Sequence, residues 1–260
     1  MKPLIDILRS EGLGAGSHLM VHSSFRALRN ALPGLTMGMV IGGLQDLVGR
    51  DGSLLFPTFT YCFHKRSGRF DRFHPATTPA KTGAIAEAFR TSPGVIRTAA
   101  PTHSFALWGG AARAIGPDNA PESPLGAGSP LDWLAGQDRA VITLVGVDFT
   151  ALSFVHYLET LAPVPWADRW CWDHLEVDPV GVNATGEQPL REGPGCSRAF
   201  NALRDALRER GAIGPKDLNG MTVWVLPVTV LMSVGLDIVR RSPEILLCPT
   251  GSCAACDSRR

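Results

Sequence analysis

A histidine and a glutamate stand three residues apart in an otherwise apolar stretch of the sequence. The stretch is LSFVHYLETLA, residues 152–162, and the two residues are His156 and Glu159. Its apolar spacing predicts a helix, on which residues three apart lie close to the same face. Two interpretations are open: a buried hydrogen bond that holds the helix in place, or a general base with the acid that orients it. The rest of the sequence has to decide between these two interpretations.

The composition is that of a folded protein without a strong charge bias. The chain has 260 residues, of which 45% are hydrophobic and 19% are charged, and its formal net charge is +1. A nucleic-acid-binding protein usually carries a basic excess, so no nucleic-acid partner is expected. The N-terminus shows no signal-peptide pattern, and a cytoplasmic protein is expected. Pro227, Gly235 and Asp237 interrupt the apolar stretch 221–239, which favours a strand followed by a helix over a membrane span.

Short apolar runs alternate with amphipathic stretches along the chain, which is α/β order. Such strands are expected to share one sheet that has helices on its faces and binds ligands at its strand ends. A threonine at residue 82 could cap one of the helices. We predict a single domain over 1–260, with a small β-rich excursion near residues 173–193 and a cysteine-containing C-terminal segment, 240–260. The predicted strands are 18–24, 52–60, 103–109 and 139–148, and the predicted helices are 37–49, 82–92, 152–162 and 197–211.

Five segments at the predicted strand ends carry polar groups. They are VHSSFRALR (21–29), LLFPTFTY (54–61), APTHSFALWGG (100–110), SPLGAGSPLDWL (123–134) and LVGVDFTALSFVHYLE (144–159). In this order and at these spacings they resemble the aminoglycoside 3-N-acetyltransferase family, over nearly the whole chain. The resemblance implies a three-layer α/β/α sandwich around a mixed central sheet. It also implies acetyl transfer from acetyl-CoA to an amine of an aminoglycoside-type antibiotic or a related compound, with CoA at the strand ends, His156 as base and Glu159 as its partner acid.

The chemistry of such a transfer agrees with these two residues. An alkyl ammonium group becomes a nucleophile only after it loses a proton, so aminolysis of a thioester needs a base, and imidazole titrates close to neutral pH. A carboxylate on the second ring nitrogen would fix the tautomer and stabilise the imidazolium. The thioester oxyanion needs donors, for which the HSS segment (22–24) and the PTHS segment (101–104) are both candidates. No acyl-enzyme is required.

Three segments could contact CoA. The loop at residues 23–26 resembles the CoA-binding loop of the family, and the PTHS segment and the glycine-rich loop 123–129 are further candidates. Backbone and hydroxyl donors at a strand-to-helix turn suit a phosphate, and an arginine there could pair with it. The structural alternatives are a serine cap, a buried core histidine and a simple glycine turn. The candidate cofactor-binding residues are Ser23, Ser24, Phe25, Arg26, His103, Ser104 and Ser129.

The acceptor is less clearly indicated than the cofactor. Aminoglycosides carry several ammonium groups, so a pocket for them should present carboxylates. The loop TYCFHKRSGRF (60–70) is instead rich in aromatic and cationic residues, so a less cationic amine is a second candidate acceptor. The candidate acceptor-binding residues are Tyr61, Asp71, Asp148 and Glu192.

The C-terminal segment CPTGSCAAC contains three cysteines with metal-site spacing. Cys253 and Cys256 form a Cys-x-x-Cys motif, Cys248 lies five residues upstream of it, and Cys196 could supply a fourth ligand. Four thiolates usually hold structural zinc. The alternative is a set of free thiols at a frayed terminus.

Two other functions compete with acetyl transfer. A metal-assisted hydrolase could use His22, His103, His156 and Asp148, although their spacing matches no metal template. A binding protein could keep the same cleft without turnover. The expected partners are CoA and a small-molecule amine, with no membrane partner, and a homodimer is an open alternative.

Overall fold

A mixed seven-stranded sheet forms the centre of the computed structural model, which describes residues 1–191 and 193–260. The strand order is β4-β5-β2-β1-β6-β10-β9. β1 is parallel to both β2 and β6, and the other pairs are antiparallel. The strands of this sheet are β1 His18–Ser23, β2 Ser53–Pro57, β4 Ile96–Arg97, β5 Phe105–Gly109, β6 Ala140–Val145, β9 Pro215–Leu218 and β10 Met221–Pro227.

Side chains alternate across this sheet and pack into two separate apolar cores. In β1, Leu19 and Val21 join the core on one face, whereas Met20 joins the core on the other. Helices α1 to α4 cover the first face, and α6 to α10 cover the second, so the predicted three-layer α/β/α sandwich is confirmed. The helices are α1 Lys2–Ser10, α2 Phe25–Ala31, α3 Met37–Val48, α4 Ala84–Arg90, α5 Gly110–Ile115, α6 Pro130–Ala135, α7 Phe154–Leu161, α8 Asn201–Glu209, α9 Val228–Val230, α10 Leu236–Arg241 and α11 Ala254–Asp257.

A second, three-stranded sheet stands beside the main one. Its strands are β3 Phe63–Lys65, β7 Val177–Val182 and β8 Glu187–Pro189, in the order β3-β7-β8. The β-rich excursion near residues 173–193 is therefore present as the β7–β8 hairpin. Its third strand, β3, comes from the loop after β2, which the sequence did not predict to be a strand.

The apolar stretch 221–239 forms β10 and then a helical segment. The helical segment consists of α9, a π-helical turn at Leu231–Gly235, and α10. This confirms the predicted strand followed by a helix. Within residues 1–191 and 193–260, no helix combines the length and the apolar character needed to cross a membrane.

The predicted threonine cap of α4 is wrong. Gly83 occupies the N-cap position, and no side chain caps this helix. The hydroxyl of Thr82 donates instead to the carbonyl of Pro57, at the end of β2. The loop before α4 is thereby fastened to the strand end rather than to the helix.

Candidate active site

One edge of the main sheet collects the ends of four strands. The C-terminal ends of the parallel strands β1, β2 and β6 lie at this edge, and so does the N-terminal end of β5, because β5 runs antiparallel to β2. A cavity of about 650 Å³ opens there. Ser23, Pro57 and Val147 line it from the parallel strand ends, His103 lines it from the segment before β5, and Phe63 lines it from the small sheet.

His156 lies at the boundary between this cavity and a second one of about 310 Å³, since it lines both. It belongs to α7, which follows β6 through a turn and a short 3₁₀ helix, Phe149–Ala151. Gly146 makes the turn with φ +66°, where a side-chain Cβ would lie 2.5 Å from that of Ala27. Glycine at this position therefore lets Ala27 of α2 and Met221 of β10 both approach the end of β6.

The sequence-predicted pair is a hydrogen-bonded pair in the structure. His156 Nδ1 lies 2.6 Å from Glu159 Oε2, and each residue is only 8% exposed. The ring of Phe200 packs edge-on against the imidazole, with ring centroids 4.9 Å apart. Because the carboxylate engages Nδ1, Nε2 is the ring nitrogen left to face a substrate.

The carboxylate of Glu159 is held by three donors. Oε2 is bound to the histidine, whereas Oε1 accepts hydrogen bonds from Trp166 Nε1 and from Arg259 Nη1, both at 3.1 Å. Burial alone would raise the pKa of Glu159, but the hydrogen bond and charge of His156, the charge of Arg259 and the bond from Trp166 together lower it. Glu159 is therefore an ionised, fixed acceptor. Arg259 lies 100 residues from Glu159 and belongs to no motif, so the sequence does not predict this contact.

The other two histidines near the site are held in the neutral form. Burial, reinforced by the charge of His156, lowers the pKa of His103 to about 3, and burial lowers the pKa of His22 to about 3. Both side chains line the larger cavity. The ring of His103 is surrounded by the edges of aromatic rings, and its Nδ1 lies 3.0 Å from Thr102 Oγ1. His156 is thus the histidine with a carboxylate partner in this cavity.

The charged residues are divided between the two cavities. Lys65, Lys81 and Arg198 line the larger cavity, and none of its described lining residues is a carboxylate. Asp132 and Asp168 line the smaller cavity, together with Glu159, Arg191 and Arg259. The larger cavity therefore suits an anionic ligand, and the smaller one offers the carboxylates that an ammonium group needs.

The profile of the aminoglycoside 3-N-acetyltransferase family matches residues 20–239. The chain belongs to this family. Aminoglycoside N(3)-acetyltransferase VII of Streptomyces paromomycinus is 32% identical over 173 residues, which cover 61% of this chain and 59% of that enzyme. The chain spans less than two thirds of the length of the first curated relatives that it matches.

Solved structures share the whole fold. The apoenzyme of aminoglycoside acetyltransferase AAC(3)-IVa is 26% identical, covers 100% of this chain and 95% of its own, and superposes with a TM-score of 0.82. AAC-IIIb, as a binary complex with CoASH, has the same fold at 21% identity and a TM-score of 0.71, covering 92% of this chain and 95% of its own.

The candidate cofactor residues of this family member divide into two groups. Ser23 and His103 line the larger cavity. The hydroxyls of Ser24 and Ser129 instead cap α2 and α6, and Ser104 Oγ donates to the carbonyl of Thr58. Phe25 packs against the apolar core of the first face, and Arg26 is exposed at the start of α2.

The candidate acceptor residues are scattered. Tyr61 lines the larger cavity and is 44% exposed. The exposed Asp71 lies 3.8 Å from the ammonium of Lys81. Asp148 caps the 3₁₀ helix before α7 and accepts a hydrogen bond from the Asn201 amide, so its carboxylate is engaged locally. Glu192 lies outside the described residues.

The four C-terminal candidate ligands are brought together. The Sγ atoms of Cys196, Cys248, Cys253 and Cys256 all lie within 4.8 Å of one another. Among the described residues, these four cysteines are the set of potential ligands that lie close enough together to hold one metal ion. The histidines and Asp148 that a metal-assisted hydrolase would need do not form such a group.

Proposed function

We propose that the protein is an acetyl-CoA-dependent N-acetyltransferase in which His156 is the general base. The observation that carries the proposal is the 2.6 Å contact between His156 Nδ1 and Glu159 Oε2 at the boundary of two cavities of opposite charge preference. Membership of the aminoglycoside 3-N-acetyltransferase family supports it.

The reaction is a direct aminolysis of the thioester. The acceptor enters as an amine, its ammonium form having lost a proton to solvent. As the nitrogen attacks the acetyl carbon, Nε2 of His156 removes a second proton, the new C–N bond forms and the oxygen becomes negative. Collapse of this intermediate breaks the C–S bond, and the proton on the imidazolium passes to the departing CoA thiolate. The products are the acetamide and CoASH.

Glu159 orients and stabilises the base. Its carboxylate accepts the Nδ1 proton, which leaves the lone pair on Nε2 in the neutral state and stabilises the imidazolium once the proton has moved. Trp166 and Arg259 hold the carboxylate through its other oxygen. Arg259 is a positioning residue in this scheme, since it contacts the acid rather than the reacting atoms.

CoA is assigned to the larger cavity. Lys65, Lys81 and Arg198 line it, and such cations suit the phosphates of the cofactor. Ser23 and His103 come from the two segments predicted to supply oxyanion donors, and both line this cavity. A relative of the same fold is a binary complex with CoASH, which is in keeping with this assignment.

The acceptor amine is assigned to the smaller cavity, from which it would also reach His156. Asp168 lines that cavity and provides a counter-charge for an ammonium group, as an aminoglycoside-type acceptor requires. Asp132 also lines it and adds negative charge, although its two oxygens accept hydrogen bonds from the Tyr157 hydroxyl and the Gly128 N–H. A less cationic amine is the second candidate, because the loop 60–70 is rich in aromatic and cationic residues.

A thiol-release assay with acetyl-CoA and a panel of amines tests the activity. The panel contains aminoglycosides of several core types and simple monoamines. For His156→Ala, kcat should fall by about 10²- to 10⁴-fold while CoA binding, measured by calorimetry, is unchanged. His18→Ala is the matched control, because His18 is a partly buried histidine at the opposite end of β1. Thiol release that survives in His156→Ala would refute the base assignment, and no release with any amine would favour a binding protein.

A carboxylate substitution distinguishes the two acceptor classes. Asp168→Asn should raise KM for an aminoglycoside but leave KM for a monoamine unchanged, since only the polycation needs the extra counter-charge. Asp138→Asn removes an exposed carboxylate beyond the two cavities and serves as control. If Asp168→Asn leaves KM unchanged for every aminoglycoside, the assignment of the acceptor to the smaller cavity is wrong.

A further inference from the structure

Four cysteines from three segments of the chain meet beside the C-terminus. Cys196 follows the β7–β8 hairpin, Cys248 follows the 3₁₀ helix Pro243–Leu246, and Cys253 and Cys256 begin and end the first turn of α11. Three of the four are buried, and Cys253 is partly exposed. Their convergence joins the excursion to the end of the chain.

The spacing of the sulfur atoms is that of a metal site rather than of disulfides. A disulfide holds two sulfurs about 2.05 Å apart. Four thiolates around zinc, each at about 2.3 Å in a tetrahedron, lie about 3.8 Å from one another. The Sγ atoms of Cys196 and Cys248 are 3.8 Å apart, and every pair in the group is within 4.8 Å.

A backbone N–H group also points to one of these sulfurs. The N–H of Arg198 donates to Cys196 Sγ at 3.4 Å. Such N–H···S bonds are the outer contacts that orient thiolate ligands and take up part of their charge.

We infer that Cys196, Cys248, Cys253 and Cys256 bind one zinc ion as four thiolates, and that this ion fixes the C-terminal turn that places Arg259 on Glu159. The four-thiolate set is closed, so the ion is structural and leaves no position for substrate. The zinc site stands independently of the proposed acetyl transfer. Only its effect on the His156–Glu159 pair rests on that function.

The site and Arg259 are interlocked through neighbouring residues. Arg259 lies three residues after Cys256, and its Nη2 donates to the carbonyl of Gly193 at 3.4 Å. Gly195, next to Cys196, has no side chain where the guanidinium lies, since a Cβ there would be 2.1 Å from Arg259 Cζ. Arg260 donates to the carbonyl of Cys248. An ion that holds Cys196 and Cys256 together therefore also fixes the position of Arg259 relative to Gly193 and Gly195.

Metal content tests the site directly. The full chain, purified without chelator, should contain one zinc ion per chain when measured by elemental mass spectrometry. Substitution of the zinc by cobalt should give the visible absorption spectrum of a tetrahedral thiolate site. Cys253→Ser should lower the zinc content severely. The control Cys62→Ala, at a buried cysteine outside the group, should keep one zinc. An unmodified protein without zinc, or Cys253→Ser with full zinc, would overturn the site.

The link to the catalytic pair has its own test. Arg259→Ala should keep one zinc per chain, and its kcat should fall about tenfold with KM for acetyl-CoA unchanged, because only the orientation of the acid is lost. Added guanidinium at low millimolar concentration should restore part of the rate, which it would not do for a merely structural defect. If Arg259→Ala keeps both zinc and full kcat, the link is wrong while the zinc site stands.

Discussion

Replacing Glu159 by glutamine tests how much the carboxylate contributes to the base. The change keeps the shape of the side chain but removes the charge that lies 2.6 Å from His156 Nδ1. Charges about 4 Å apart at an effective dielectric constant of about 20 interact by about 4 kcal/mol. If the imidazolium forms fully in the transition state, losing this interaction lowers kcat by about 10³-fold. The glutamine amide can also donate to Nδ1, which would move the proton to Nε2 and disable the base further.

The assay is kcat at saturating acetyl-CoA and acceptor, with thermal unfolding measured alongside. Glu87→Gln is the matched control, because Glu87 also carries a lowered pKa and pairs with Arg90, but it lies on α4 and does not line either cavity. The control should keep its kcat. A folded Glu159→Gln protein whose kcat is close to that of the unmodified protein would refute the role given to the carboxylate.

Three further predictions concern stability and cofactor binding. Burial lowers the pKa of His103 from 6.5 to about 3, so the folded protein is not penalised for holding this histidine neutral above pH 6.5 but loses stability as the pH falls below that value. Between pH 7 and pH 5, the free energy of unfolding should therefore drop by about 2 kcal/mol more than it does in His103→Gln. Denaturant titration at both pH values measures this difference. Gly146→Ala should lower the free energy of unfolding by about 3 kcal/mol, against about 1 kcal/mol for Gly220→Ala, because both have positive φ but only the first has a neighbour within 4 Å; equal losses would contradict this. Lys81→Ala should weaken CoA binding about tenfold in a salt-dependent manner. Lys216→Ala should not, because Lys216 is a half-buried lysine on β9 that pairs with Glu11 and lines neither cavity.

The main elements could be predicted because their signals are local. Strands β1 and β6 are short apolar runs, and α7 carries its two catalytic candidates one turn apart, so spacing alone placed them on one face. Strand β3 was not predicted because it has only three residues and because its pairing partner, β7, lies more than a hundred residues away in the sequence. Pairing over such a distance leaves no periodic pattern in the sequence.

The site was predictable only in part, for the same reason. The His156–Glu159 contact is local, whereas Arg259 reaches Glu159 across 100 residues. Ser24 and Ser129 stand at strand-to-helix and loop-to-helix turns, where a capping serine and a ligand-binding serine have the same sequence context. The cysteines were identified because a Cys-x-x-Cys motif is itself local. Four inferences from the sequence stay predictions: zinc binding by these cysteines, the homodimer, the single-domain organisation and the cytoplasmic location.

The central claim is that the imidazole of His156 removes a proton from an amine beside a bound thioester. A crystal structure of the full chain with CoA and an acceptor amine tests it most directly. The amine nitrogen should lie within about 3 Å of His156 Nε2, with the CoA sulfur close enough that an acetyl carbon on it would lie about 3–3.5 Å from that nitrogen. A CoA sulfur more than about 10 Å from His156, beyond the reach of any near-attack geometry, would contradict the mechanism.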